Sequence, residues 1–171
     1  MLELDYFKMQ KMTTASIKST HTPCIGICST VFGDQICRGC KRSMHEITLW
    51  NQYNDDEKDL IWQRLESQMV LAVRQIFILV DPSRLAQQLL TLKITFPQQL
   101  DAHCWVIYLL RATKNQSIPM HQFGLTIRAE YQIFRPSELY DFIQDKWLTL
   151  ALAQYDIQTN RALQQYQANQ K

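Results

Sequence analysis

A chain of 171 residues, 46% hydrophobic and 20% charged, has the make-up of one globular domain, which excludes wholesale disorder. Its net charge of +2 is too small to advertise nucleic acid or a membrane surface through bulk electrostatics. Four glycines, with no GxGxxG or GxxxxGKS/T among them, exclude the glycine-rich nucleotide loops.

The first residues, Met1 to Lys8, carry early acids and no continuous apolar run, so they do not read as a secretory signal. Residues 1–21 read as a flexible segment, with small polar residues from Thr13 leading to Pro23 and His21 as a loop residue. The expected divisions are a four-cysteine module over 22–66, a helical domain over 67–157, and a glutamine-rich tail over 158–171 that frays.

Helix starts then follow in chain order. Ser43 and Glu46 form a capping box ahead of Ile47, Leu49 and Trp50. Asn54 followed by Asp55, Asp56 and Glu57 is a second start, and Leu60, Ile61, Leu65, Met69 and Ala72 share a face behind it. Asp81-Pro82 begins a third helix that carries Leu85, Leu89 and Leu92 inward. Leu100 to Leu110 is apolar on nearly every side, the pattern of a buried central helix. A last long helix starts at Pro136-Ser137-Glu138 and buries Leu139, Phe142, Ile143, Leu150 and Ala153.

Two segments fit more than one pattern. Arg74 to Val80 reads as a helix end or a short strand. Residues 125–133 alternate like a strand, but Met120, Phe123, Ile127, Tyr131 and Phe134 also make a helical stripe, and Pro119 tips the reading to helix. The fold class is therefore mainly α, a cysteine knuckle ahead of a helical body. The alternative is α+β, with short strands near 74–80 and 125–133. No apolar run approaches the ~20 residues of a membrane span. A cytoplasmic setting is expected, where thiols stay reduced and clustered cysteines bind metal.

The chemistry lies in Cys24-x3-Cys28-x8-Cys37-x2-Cys40. Two close pairs joined by a short loop supply four soft ligands to one tetrahedral centre. Gly26 and Gly39, inside the pairs, let the backbone turn so that amides point at sulfur. Four thiolates around a divalent ion leave a charge of −2, which Arg38, Lys41 and Arg42 are placed to offset. A sharper use of these cations, as a small phosphate-binding patch, is the alternative. The spacing leans to zinc and does not follow the ferredoxin run, yet thiolates suit zinc and iron–sulfur clusters alike. Ile47 and Trp50 share a face and are expected to lie over the metal loop.

Other groups have simpler explanations. His45 and the acidic run 55–57 suit helix starts, His121 has no evident partner, and His103-Cys104 reads as a buried structural thiol beside a histidine. No catalytic constellation is visible.

Thr22-Pro23-Cys24-Ile25-Gly26-Ile27-Cys28, Cys37-Arg38-Gly39-Cys40-Lys41-Arg42, Glu46-Ile47 and Trp50 together resemble the short bacterial four-cysteine domain of unknown function usually labelled a predicted Fe–S protein, the YdhL-like family. The resemblance covers residues 22–66. It implies Cys24, Cys28, Cys37 and Cys40 as ligands and an iron–sulfur centre, and it implies no enzyme activity. The expected function is a non-enzymatic four-cysteine metal protein, zinc or iron–sulfur, that meets a protein or nucleic-acid partner. The alternatives are an iron–sulfur electron carrier or redox sensor, and an enzyme whose site lies between the helices beyond Gln68.

Overall fold

The computed structural model describes residues 22–169; the lead-in over 1–21, with His21, and the last two residues of the tail lie outside them. Among the described residues the chain forms five α-helices and one two-stranded sheet, so it is mainly α with a minor β part. The helices are α1 (Met44–Thr48), α2 (Asp55–Arg74), α3 (Pro82–Thr91), α4 (Ala102–Ala112) and α5 (Pro136–Ala168). None is long and apolar enough to cross a membrane.

The helix starts obey local chemistry. Ser43 Oγ accepts the Glu46 N–H while Glu46 Oε2 accepts the Ser43 N–H, and Asn54 and Glu57 repeat that box at α2. Asp81 Oδ1 accepts the Arg84 N–H ahead of Pro82. α4 begins at Ala102 rather than Leu100, because Asp101 Oδ1 accepts the His103 N–H and takes the cap position.

α4 is the central helix. Cys104, Val106, Ile107, Leu109 and Leu110 are buried in a single core with Leu65, Met69 and Val73 of α2, Leu85 and Leu89 of α3, and Leu139, Ile143 and Trp147 of α5. The boundary drawn at residue 66 falls inside α2, whose Leu65 and Met69 on either side enter that same core. Three expected core residues face solvent: Leu60, Leu92 and Ala153. On α5 the inward row is Leu139, Ile143, Trp147 and Ala151, spaced by four residues throughout. From residue 158 the chain is helical to Ala168, and its side chains there are exposed.

Both ambiguous segments resolve as strand. β1 (Phe77–Leu79) follows the end of α2 and pairs antiparallel with β2 (Leu125–Ile127), Phe77 opposite Ile127 and Leu79 opposite Leu125. The helical reading of 125–133 is thereby corrected. Pro119 starts only a 3-10 turn, Met120–Phe123, and Gly124 at φ 68° ends it. That glycine is required: a Cβ there would sit 2.5 Å from the Asp81 carbonyl oxygen. Its own carbonyl accepts the Val80 and Asp81 N–H groups, which fixes β2 beside β1.

Candidate metal centre

Residues 36–43 fold into a tight knuckle. Ile36 bridges Ser43, Cys37 N–H donates to the Arg42 carbonyl at 2.9 Å, and Lys41 N–H donates back to the Cys37 carbonyl at 2.9 Å. Lys41 takes φ 59°, a left-handed backbone that closes the turn. The knuckle buries Cys37 and Cys40 and brings their thiols within hydrogen-bonding reach of each other.

The first pair lies on a loop wrapped against that knuckle. The Cys37 sulfur stands 3.9 Å from the Ile27 carbonyl, and Arg38 N–H donates to Ser29 Oγ at 2.8 Å. Gly39 makes this approach possible, since a Cβ there would come within 2.9 Å of the Ile25 side chain and 3.1 Å of the Ile27 carbonyl. Cys28 is half-buried with its sulfur 2.9 Å from Thr30 Oγ1, and Cys24 is exposed, its sulfur accepting the Gly26 N–H at 3.4 Å. All four are free thiols. Cys37 and Cys40 are together; among the described residues no three or more His, Cys, Asp or Glu converge as a metal-holding group. His45 is exposed on α1, and Asp55, Asp56 and Glu57 stay at the start of α2.

The electrostatics around the buried pair are unusual. Burial pushes the Cys37 thiol up, but hydrogen bonds from the Cys40, Ser29 and Gly39 amides outweigh it and bring the pKa down to about 7. Cys40 goes the other way, pushed up by burial against the pull of Arg42. Lys41 and Arg42 are only 1% and 3% exposed. Lys41 Nζ donates to the Arg38 and Gly39 carbonyls and to Gln144 Oε1 of α5, and it lies 4.7 Å from the centre of the Trp147 ring. Burial lowers its pKa to about 8, despite the opposing fields of Cys37, Cys40 and Asp145. Arg42 Nε points at the Cys40 sulfur at 3.5 Å, its guanidinium stacks 4.5 Å over Trp50, and its buried Nη1 has no acceptor among the described residues. Neither cation forms an ion pair with a carboxylate among those residues. The expected lid is thus indirect: Trp50, in the turn after α1, covers Arg42, and Arg42 faces the sulfur.

Arg38 alone of the three cations is exposed, and it is tied to Asp34 at 2.9 Å. Two of the three cations are thus buried, and the third is paired with a carboxylate. Sequence reasoning missed Gln144 and Trp147, which receive Lys41. It also missed Arg64, which donates to both Glu46 carboxylate oxygens at 3.0 and 2.7 Å and reaches the Lys41 carbonyl. No local pattern marks these residues, because each acts through a fold contact. His103 is partly buried, bridging Asp101 and Arg74, and Cys104 is fully buried, as the structural reading of that pair requires.

Comparison with known proteins adds one finding. No curated protein and no solved structure matches the chain. Residues 22–69, which hold the four cysteines, α1 and most of α2, match the family model described as "Protein of unknown function (DUF1289)".

Proposed function

We propose that Cys24, Cys28, Cys37 and Cys40 hold one metal centre, and that the protein is a non-enzymatic metal-binding protein in which this centre fastens the N-terminal loop to the helical body. The observation that carries the reading is the burial of Lys41 and Arg42 beside Cys37 and Cys40 without a carboxylate ion pair among the described residues. Two buried cations require a compensating anion. Four thiolates around a divalent ion supply a charge of −2, which the two side chains neutralise. The orphaned Arg42 Nη1 fits the same anion. A bound centre would supply structural cross-linking and no open position for chemistry.

A zinc ion and an iron–sulfur cluster balance this charge equally well, so the YdhL-like label of iron–sulfur remains the second reading, with electron transfer or redox sensing as its function. The amide hydrogen bonds to Cys37 favour either, because they stabilise thiolate and, in a cluster, raise its potential. The partner is a protein rather than a nucleic acid. The chain displays Ile27 at 76% exposure inside the first pair and Phe32 at 86% between the pairs, with Val31 beside it, an apolar surface in place of a basic one. A cytoplasmic setting belongs to the same proposal.

The test is elemental analysis with a visible spectrum of anaerobically purified protein. One zinc per chain and no colour selects the first reading; visible charge-transfer absorption with iron selects the second. Cys37→Ala should release the metal in either case. Unchanged metal content in that variant refutes the centre.

A further inference from the structure

The four clustered thiols are unequally placed. Cys37 and Cys40, the inner pair, are 1% and 3% exposed, whereas on the wrapping loop Cys28 is half-buried and Cys24 exposed. That loop shields the inner pair: the Ile27 carbonyl stands 3.9 Å from the Cys37 sulfur, and Ile25 lies against Gly39. On another side Arg42 Nε points at the Cys40 sulfur at 3.5 Å, with Trp50 stacked on its guanidinium. The outer pair has open space instead. Gly26 bends the chain between Cys24 and Cys28 at φ 93°, and a Cβ there would meet nothing within 4 Å. Hydrogen bonding separates the pairs in the same sense. The Cys37 sulfur accepts from the Cys40, Ser29 and Gly39 amides, bonds that draw electron density from a thiolate and make it a poorer nucleophile. The Cys24 sulfur accepts a long bond from the Gly26 N–H at 3.4 Å, and the Cys28 sulfur meets the Thr30 hydroxyl at 2.9 Å. With all four sulfurs on one ion their charge is shared, so access and amide bonding decide which of them reacts first.

We propose that the outer pair is the oxidant-sensitive latch of the centre: hydrogen peroxide joins Cys24 and Cys28 in a disulfide and frees the metal, while Cys37 and Cys40 stay reduced. The latch rests on the zinc reading of the centre. In the first step the Cys24 thiolate attacks one peroxide oxygen, the O–O bond breaks, and a sulfenic acid and a hydroxide result. In the second the Cys28 thiolate attacks the Cys24 sulfur and expels another hydroxide as the S–S bond forms. Two sulfurs give up two electrons in all, and one peroxide is reduced. Zinc has no redox chemistry of its own, so the electrons come from sulfur. The ion then keeps two of its four ligands and leaves, which unfastens the N-terminal loop from the body.

The test uses the purified full-length chain, its metal content measured before any treatment. Hydrogen peroxide is added at one equivalent, released zinc is read with a chromophoric indicator, and the remaining thiols are alkylated for mapping by mass spectrometry. The disulfide between Cys24 and Cys28 should exceed that between Cys37 and Cys40 about tenfold. It should rise in step with released zinc and reverse with a dithiol reductant. Cys104, fully buried in the core, should stay reduced and serves as the internal reference. An inner-pair disulfide formed first, zinc release ahead of any cross-link, or a centre that survives excess peroxide would each overturn the latch and leave the zinc centre standing. A chain purified with iron overturns the latch at the outset, and one purified without metal overturns the centre as well.

Discussion

Gly39→Ala tests whether the two cysteine pairs act as one unit. The added methyl would stand 2.9 and 3.0 Å from Ile25 Cγ1 and Cδ1 and 3.1 Å from the Ile27 carbonyl. The isoleucine side chain can rotate away; the carbonyl can yield only by shifting the loop that carries Cys24 and Cys28. Ile25 is about half covered in the native chain. Full burial of such a side chain stabilises by about 1.5–3 kcal/mol, so evicting a half-covered one costs about 1 kcal/mol. Spent against metal binding, that is roughly a fivefold loss of affinity. Competition against a chelator of known strength measures it. On an Ile25→Ala background the same substitution meets only the Ile27 carbonyl, so its cost should fall and the two changes should not add. Unchanged affinity in Gly39→Ala, or an identical cost on both backgrounds, refutes the contact between the loops as the origin of the site.

Leu109→Ala empties a fully buried position on α4 and should cost about 3 kcal/mol, read as a lower urea midpoint at constant slope; a shift under a third of that would deny α4 its central place. Arg64→Gln removes both bonds to Glu46 from a pair whose side chains are less than a fifth exposed, and should cost about 2 kcal/mol while raising amide exchange in α1. Exchange in α1 that matches the native protein would show that the pair does not hold that helix. In metal-free protein, ultraviolet absorbance should reveal one thiolate forming with a midpoint near pH 7, absent in Cys37→Ala. Because that value lies below the ordinary 9.0, the stability it contributes is complete above pH 9 and is lost as pH falls through 7. A first thiolate appearing only near pH 9 would remove the amide hydrogen bonds from the account.

What the sequence discloses is local. The boxes at Ser43 and Asn54 and the start at Asp81-Pro82 are settled by side chains three residues apart, so they are legible without the fold. The apolar circumference of α4 likewise announces a buried helix. Residues 125–133 were ambiguous because a period of two and a period near four share Ile127 and Tyr131. What decides for strand is β1, nearly fifty residues earlier in the chain. The cysteine spacing picks out the four thiols proposed as ligands, and Gly39 the close approach. The burial of Lys41 has no such signature. Its partners Gln144 and Trp147 lie more than a hundred residues away on α5. A lysine beside thiolates reads from sequence as a solvated counter-charge, and only packing turns it into a structural pin.

With the proposed centre in place, that pin would make metal occupancy and helix packing a single equilibrium. If the sulfur charge is withdrawn, an ammonium group is stranded against the indole of α5, and the cheapest relief is for the knuckle to lift from the helix. Chelation should therefore lower the melting temperature of the whole molecule, rather than merely loosen its leading loop.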